Sequence, residues 1–110
     1  MRLTKSNGQI LTPKVILADR FFKRLRGLLG RSEMPEDTTL ILKPCNQVHM
    51  LFFMKFPIGA IFLDPHGKVL AKEFLKPWQI SKKIQGAAMV AEVSPDVLDH
   101  IEEGEILIIV

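Results

Sequence analysis

The 110-residue sequence contains one cysteine, one tryptophan and no tyrosine. A single cysteine, Cys45, cannot form an intrachain disulfide, which is typical of proteins from a reducing compartment. The first residues are polar and basic and lack the apolar core of a signal peptide. An uninterrupted apolar run such as residues 50–54 is too short to cross a bilayer. The sequence therefore predicts a cytoplasmic protein without a membrane span.

Sequence signals for nucleotides and nucleic acids are also missing. No Gly-rich phosphate loop follows a predicted strand, and no recognised reading motif is present. The basic helix predicted over residues 20–29 has no aromatic side chain on its polar side on which a base could stack. We therefore expect the partner to be a protein or a small molecule, of a kind that the sequence does not specify, and not a nucleic acid.

The formal net charge of +3 is unevenly distributed along the chain. Residues 1–33 carry eight Lys or Arg against two acidic residues, whereas residues 91–110 carry six acidic residues and no Lys or Arg. Either the acidic residues 91–110 fold back near the basic residues 1–33, so that their opposite charges partly cancel, or the basic residues form a face for an anionic partner. The first interpretation is the simpler one.

Length and apolar content predict one globular domain, residues 1–110. Strand patterns, several of them joined by turn signals, indicate mainly antiparallel pairing, and residues 58–75 form the clearest hairpin. Two short helices are predicted, over residues 20–29 and after Ser94, whereas the last strand, residues 105–110, is apolar on both faces and should lie inside a sheet. The expected fold is mainly β: a compact antiparallel β-sandwich or partly open barrel. The remaining strands are predicted at residues 2–5, 9–18, 38–43 and 86–93.

Several segments, taken together in their order and spacing, resemble one protein family. The chain is similar to the prokaryotic domain-of-unknown-function family 192 over nearly its whole length. The resemblance implies a small, jelly-roll-like β domain without an established activity or cofactor, and some members are associated with pilus or secretion genes. Met50 stands where the family usually has Thr, and Gly59 stands where it usually has Asp. The matching segments are RLRGLLGR (residues 24–31), residues 44–70, KPWQIS (76–81), AAMVAEV (87–93) and the closing Gly104-Glu105 pair.

Cys45 and His49 are the candidate catalytic residues. Their spacing of four would place both side chains on one face of a strand. A nucleophilic Cys45 with His49 as base would need a third group, Asp64, Glu92 or Asn46, to orient the imidazole. The same two residues with His66 could be imagined as metal ligands, but they lack the paired spacing of zinc sites. A buried thiol and a hydrogen-bonded histidine explain the pattern more simply, and we expect no metal or cofactor.

Five residues are candidates for ligand binding. Glu92 interrupts an apolar strand, where a carboxylate is costly unless it faces water or has a partner. It could be a rim carboxylate paired with Arg24 or Arg26, or one polar wall of a pocket. The Phe- and Met-rich stretch before residue 57 most simply fills the core, but part of it should face outward beside Trp78. The ligand-binding candidates are His49, Met54, Trp78, Glu92 and Arg26.

Two functional hypotheses follow from these residues. The first is a non-catalytic binding or accessory domain with a shallow cleft formed by residues 45–54, Trp78 and Glu92. The second is an enzyme that uses Cys45, His49 and a carboxylate on a small molecule. An enzyme requires a reactive thiol in a concave site, whereas a binding domain requires only a surface that a ligand can complete.

Overall fold

The computed structural model describes residues 1–18, 34–48 and 56–110, and these residues form eight β-strands and one short helix. The helix is a 3₁₀ helix, Pro95–His100, between the last two strands. No helix among the described residues is long and apolar enough to cross a membrane. The strands are β1 (Leu3–Lys5), β2 (Ile10–Thr12), β3 (Lys14–Ala18), β4 (Thr38–Leu42), β5 (Ile58–Leu63), β6 (Val69–Leu75), β7 (Met89–Val93) and β8 (Leu107–Ile109).

The strands form two sheets, which confirms the predicted mainly-β, sandwich-like architecture. A three-stranded sheet has the order β2-β1-β8, and a five-stranded sheet has the order β3-β4-β7-β5-β6. All of the pairs are antiparallel except β3 with β4, which run parallel. The predicted hairpin of residues 58–75 is the β5–β6 pair, in which Ile58 lies opposite Leu75.

Turn chemistry fixes the two hairpins that the sequence predicted. Gly8 has a φ of 92°, and the backbone N–H of Lys5 donates to the Gln9 carbonyl at 2.8 Å. Gly67, with a φ of 87°, closes the β5–β6 turn by donating to the Asp64 carbonyl at 3.0 Å. A side chain at Gly67 would also collide with the Leu107 carbonyl. Glycine is required there by both conformation and space.

Three local predictions need correction. Residues 9–18 form two strands and not one, because the chain breaks at Pro13, which cannot donate to a sheet ladder. The final strand, predicted over residues 105–110, is flanked on both sides only at its start: β8 pairs with β1, and among the described residues its other side is paired only through residues 105–107, with residues 67–69. The helix after Ser94 is 3₁₀, and the Ser94 hydroxyl bonds the Asp96 carboxylate instead of capping the helix. The predicted helix over residues 20–29 lies outside the described residues.

The five-stranded sheet has two buried faces. The first, here called the sandwich face, carries Ile41, Ile61, Ala91 and Val93, which pack with Leu3 and Leu107 of the three-stranded sheet and with Val97, Leu98 and Ile101 of the helix region. The second, here called the Glu92 face, carries Glu92 on the same side of β7 as Val90, which packs with Leu40, Leu42, Ile58, Ala60 and Phe62. Both faces are apolar, as expected for a sheet that is covered on both sides.

Candidate functional site

Glu92 is buried at the centre of the five-stranded sheet. It lies on β7 between Leu40 of β4 and Ala60 of β5, and only 1% of its surface is exposed. Strand alternation places its side chain on the same face as Val90 and opposite to Ala91 and Val93, as the sequence predicted. The prediction that Glu92 is a rim or edge carboxylate is wrong, because β7 is flanked by strands on both sides.

The Glu92 carboxyl group is incompletely hydrogen-bonded. Its Oε2 atom is fully buried and has no hydrogen-bond partner in the part of the chain that the structure describes. Burial without compensation raises the pKa of Glu92 from 4.5 to about 7. A buried carboxyl group in this state prefers its neutral form, which can both donate and accept a hydrogen bond.

Cys45 lies on the same side of the sheet and packs against the apolar cluster of the Glu92 face. Its backbone N–H donates to the Ala88 carbonyl at 3.1 Å, which holds the segment after β4 against the start of β7. The thiol donates to the Gln47 carbonyl, with 3.1 Å between Sγ and O. Burial raises the pKa of the Cys45 thiol above its ordinary value, and the negative charge of Glu92 raises it further.

A pocket opens beside Cys45. Its volume is about 400 Å³, and most of its wall is apolar. Small side chains from the approach to β7 form one side, and the chain that follows β4 forms the other. The lining residues are Lys43, Pro44, Cys45, Asn46, Ala87 and Ala88.

Trp78 lies in the connection after β6, at a distance along the chain from both Cys45 and Glu92. Its side chain is 70% exposed, and its φ of 72° is unusual for a residue with a side chain. The exposed side chains of Phe74 and Ile80 come from the same region. A groove of about 500 Å³ lies there, lined by Glu73, Phe74, Leu75, Gln79, Ile80 and Lys82. This apolar surface consists of residues that the sequence did not single out, whereas the predicted outward side chains of residues 50–55 lie outside the described residues and Phe56 is buried.

His49, Met54 and Arg26 lie outside the described residues, as does Arg24. Their chain neighbours are informative nevertheless: Met34, Val48 and Phe56 border the undescribed segments, and all three belong to the apolar cluster of the Glu92 face. Ser81 fixes Val48 by accepting its backbone N–H at 2.8 Å. Val48 and Phe56, which flank the predicted His49 and Met54 in the sequence, thus lie on the face that holds Glu92.

Asp64 and His66 have local structural roles. The Asp64 carboxylate accepts the backbone N–H groups of His66 at 2.8 Å and Lys68 at 2.9 Å, and these bonds lower the pKa of Asp64. Asp64 therefore braces the β5–β6 turn. Among residues 1–18, 34–48 and 56–110, no group of three His, Cys, Asp or Glu side chains is placed to hold a metal ion.

The depth of Glu92 was available from the sequence but was not inferred. The segment MVAEV has no Pro or Lys, which commonly protect edge strands, and apolar residues lie on both sides of the acid. Such a strand is more typical of a sheet interior than of a rim. The groove beside β6 had no comparable sequence signal, because its walls come from a strand and from a loop.

Curated relatives are archaeal proteins without an assigned activity. The chain is 32% identical over 105 residues to a UPF0127 protein of Thermococcus sibiricus, covering 92% of this chain and 68% of that protein. It is 29% identical over 113 residues to a UPF0127 protein of Thermococcus gammatolerans, covering 97% of this chain and 73% of that protein.

Two crystal structures share the fold. One is described as a candidate transcription regulator from Sinorhizobium meliloti, with a TM-score of 0.72, 22% identity and coverage of 97% of this chain and 89% of that chain. The other is a protein of unknown function from Novosphingobium aromaticivorans, with a TM-score of 0.73, 17% identity and coverage of 98% and 82%. At these identities the likeness concerns the fold alone.

The family assignment rests on the whole length of the chain. Residues 2–109 match the family described as Uncharacterized ACR, DUF192. The resemblance stated from the sequence segments is therefore confirmed, and the chain belongs to the DUF192 family.

Proposed function

We propose that this protein is a non-catalytic binding or accessory domain whose ligand completes the hydrogen bonding of Glu92. The cleft would be formed by residues 45–54 together with Glu92, and Trp78 would contribute its exposed ring from the margin. His49, Met54 and Arg26 are the further contacts that we propose from the sequence. The ligand would be a small molecule, or a side chain of a partner protein, with one polar group on an apolar body.

The observation that carries the proposal is the buried Glu92 Oε2 atom, which lacks a partner among the described residues. An unsatisfied buried polar group typically costs about 1–3 kcal/mol. A sheet that needed only an apolar core at this position would be more stable with an aliphatic residue. A ligand group that bonds Oε2 would recover that cost on binding, so Glu92 would favour the bound state.

The state of Cys45 favours a binding domain over the alternative enzyme. A nucleophilic cysteine needs a lowered pKa and access to its substrate. Burial raises the pKa of Cys45, and its S–H already donates to the Gln47 carbonyl. Cys45 is suited to packing against a ligand in the pocket that it lines.

A link to pilus or secretion systems belongs to the same proposal, as one setting in which an accessory domain would act. Its support is the association of some family members with pilus or secretion genes.

A thermal-shift screen of small polar metabolites at pH 6 and pH 8 tests the proposal. Wild type, Glu92→Gln and the exposed-acid control Glu102→Gln would be screened together, and calorimetry would measure the affinity of each hit. We expect a hit to bind wild type and Glu102→Gln equally and to bind Glu92→Gln at least about ten-fold more weakly, because the amide cannot reproduce the hydrogen bonding of a carboxyl group.

The same hits separate the two hypotheses. A binding domain returns each ligand unchanged after long incubation, and Cys45→Ala and His49→Ala alter only affinity. Turnover of a ligand that both substitutions abolish would overturn the proposal in favour of the enzyme. Hits with equal affinity for wild type and Glu92→Gln would remove Glu92 from the site.

A further inference from the structure

β6 is the longest described strand, and it lies at an edge of the five-stranded sheet. Its first residue is already paired on the outer side: the Val69 N–H donates to the Glu105 carbonyl, and the Val69 carbonyl accepts from Gly104, both at 2.8 Å. The C-terminal chain continues along Lys68 and Gly67 into β8, since Ile106 bridges Lys68 and the Leu107 N–H donates to the Gly67 carbonyl at 2.8 Å. The outer edge of β6 is therefore able to accept a strand, and among the described residues only its beginning is used.

Beyond Val69, residues 70–75 continue the edge for about 20 Å. No backbone group of these residues bonds to any described residue outside the β5–β6 ladder. In an antiparallel strand, alternate residues turn their N–H and C=O groups away from the paired neighbour. This stretch offers three such residues, which matches a partner strand of five or six residues.

Edge strands are often protected by an outward lysine, but the lysine of β6 is engaged elsewhere. The Lys72 ammonium group donates to the carbonyls of Leu98 at 2.7 Å and Ile101 at 2.9 Å, at the end of the 3₁₀ helix. Phe74, two residues further along the edge, is instead 50% exposed. The edge is thus apolar at the end where its backbone has no strand partner among the described residues.

A groove runs beside the same end of β6. Its wall combines Phe74 and Leu75 with Ile80 of the following loop, and Ile80 is 61% exposed. The loop also carries three exposed lysines, Lys76, Lys82 and Lys83. Glu73 is the one acidic residue of the groove wall, and none of these three lysines has an ion pair among the described residues.

We propose that the open edge of β6 binds an extended, acidic segment of a partner protein by strand addition. The backbone of residues 70–75 would supply the ladder hydrogen bonds, as in other cases of strand addition. One apolar side chain of the segment would enter the groove between Phe74 and Ile80. Aspartate or glutamate residues beside it would meet Lys76, Lys82 and Lys83. The groove meets the Glu92 face at Leu75, but the proposed contacts are made without Glu92 and its ligand.

A phage-displayed library of random octapeptides, selected on the full chain, tests the inference. We expect the selected peptides to alternate apolar residues and to be enriched in aspartate and glutamate. Phe74→Glu should weaken their binding at least about ten-fold, whereas Ile10→Glu should not. Ile10 is a matched control because it is also 50% exposed and lies on the edge strand β2. The contribution of charge is tested in the same way: Lys82→Glu should weaken peptide binding, whereas the control Lys68→Glu should not.

Hydrogen exchange identifies the mode of binding. Bound peptide should protect amides within residues 70–75 and leave residues 10–12 unchanged, and Glu92→Gln should bind the peptide like wild type. Circular dichroism of each variant shows that its fold is retained. Absence of enriched peptides, or enrichment that Phe74→Glu does not affect, would overturn the inference. A dimer in light scattering that Phe74→Glu dissociates would assign the edge to a second copy of the chain instead.

Discussion

The two faces of the five-stranded sheet are buried to a similar extent but differ in the hydrogen bonding of their polar groups. On the sandwich face, the hydroxyls of Thr12 and Thr39 are buried and bond each other at 2.6 Å, and Thr12 also donates to the Lys14 carbonyl at 3.3 Å. On the Glu92 face, the carboxyl group is as deeply buried, but one oxygen has no partner in the described chain.

This difference separates a structural surface from a candidate functional surface. Buried polar groups in native proteins are nearly always paired, so an exception needs a physical explanation. The sandwich face is complete without a ligand, since its polar atoms satisfy each other. The Glu92 face is incomplete, which is why we place the binding site there.

The largest expected effect concerns Gly59 on the sandwich face. A Cβ at Gly59 would lie 2.8 Å from Cγ of Leu98 and 3.1 Å from Cγ2 of Val93. Gly59→Asp should lower the free energy of unfolding by about 4 kcal/mol, because it adds both overlap and a buried charge. Gly59→Ala should cost about 1–2 kcal/mol. Urea denaturation measures both changes.

If Gly59→Asp is as stable as wild type, the packing of the 3₁₀ helix on β5 is not as described. The position also bears on the family comparison. Gly59 faces Leu98 on the sandwich face, so an aspartate there would not lie beside Glu92.

The next effect is the pH dependence that Glu92 imposes. The pKa of Glu92 is raised from 4.5 to about 7 by burial, so the folded protein holds a proton that the unfolded chain releases. Stability is therefore fully present below pH 4.5 and falls as the pH rises towards 7. The loss should be about 3 kcal/mol. Urea denaturation at pH 5 and pH 8 measures it.

Glu92→Gln should remove this dependence and exceed wild type in stability at pH 8. Glu102→Gln, which changes an exposed acid, should keep the wild-type dependence. The acids whose pKa is lowered by hydrogen bonds, Asp37, Asp64 and Glu105, act in the opposite direction and at lower pH. Equal stability of wild type at pH 5 and pH 8 would show that Glu92 finds a partner or water.

A smaller effect is expected for Lys72, the cation that joins β6 to the helix of the sandwich face. Its two hydrogen bonds hold the Leu98 and Ile101 carbonyls. Lys72→Met keeps the apolar stem but removes the charge, and it should lower the free energy of unfolding by about 2 kcal/mol. Lys68→Met, at an exposed position, should change stability by less than about 0.5 kcal/mol. Equal effects of the two substitutions would mean that the Lys72 hydrogen bonds contribute nothing to the free energy of unfolding.

The smallest effect is on the reactivity of Cys45. Because the thiol pKa is raised, alkylation by iodoacetamide at pH 8 should be about ten-fold slower than that of glutathione. Glu92→Gln should accelerate it about two-fold, since it removes a nearby negative charge. Mass spectrometry follows the reaction. An alkylation rate above that of glutathione would support Cys45 as a nucleophile.

Much of the fold was predictable from local chemistry. The β5–β6 hairpin follows from alternation and from a Pro-Gly turn, whereas the break at Pro13 was not predicted, although its missing N–H explains it. The position of β8 did not follow, because an apolar strand can be buried by a facing sheet as well as by two neighbours. Its residue Leu107 is buried against the sandwich face, whereas Ile108 is exposed.

Two members of the candidate site, Glu92 and Cys45, were predictable as candidates, but their geometry was not. The sequence identified Glu92 and Cys45 as unusual, and the structure places both on one side of the sheet. Their depth depends on which strands flank β7, and pairing between distant segments is not encoded in local pattern. The edge of β6 depends in the same way on where the C-terminal chain joins it, at Gly104.

A carbon-13 titration of the Glu92 side-chain carboxyl group tests the central claim most directly. Comparison with Glu92→Gln assigns the signal, and the chemical shift is followed from pH 4 to pH 9. The account predicts a midpoint near 7, at the value that burial imposes. A midpoint near the ordinary value of 4.5 would contradict it, because the carboxyl group would then be solvated or paired and the Glu92 face would need no ligand.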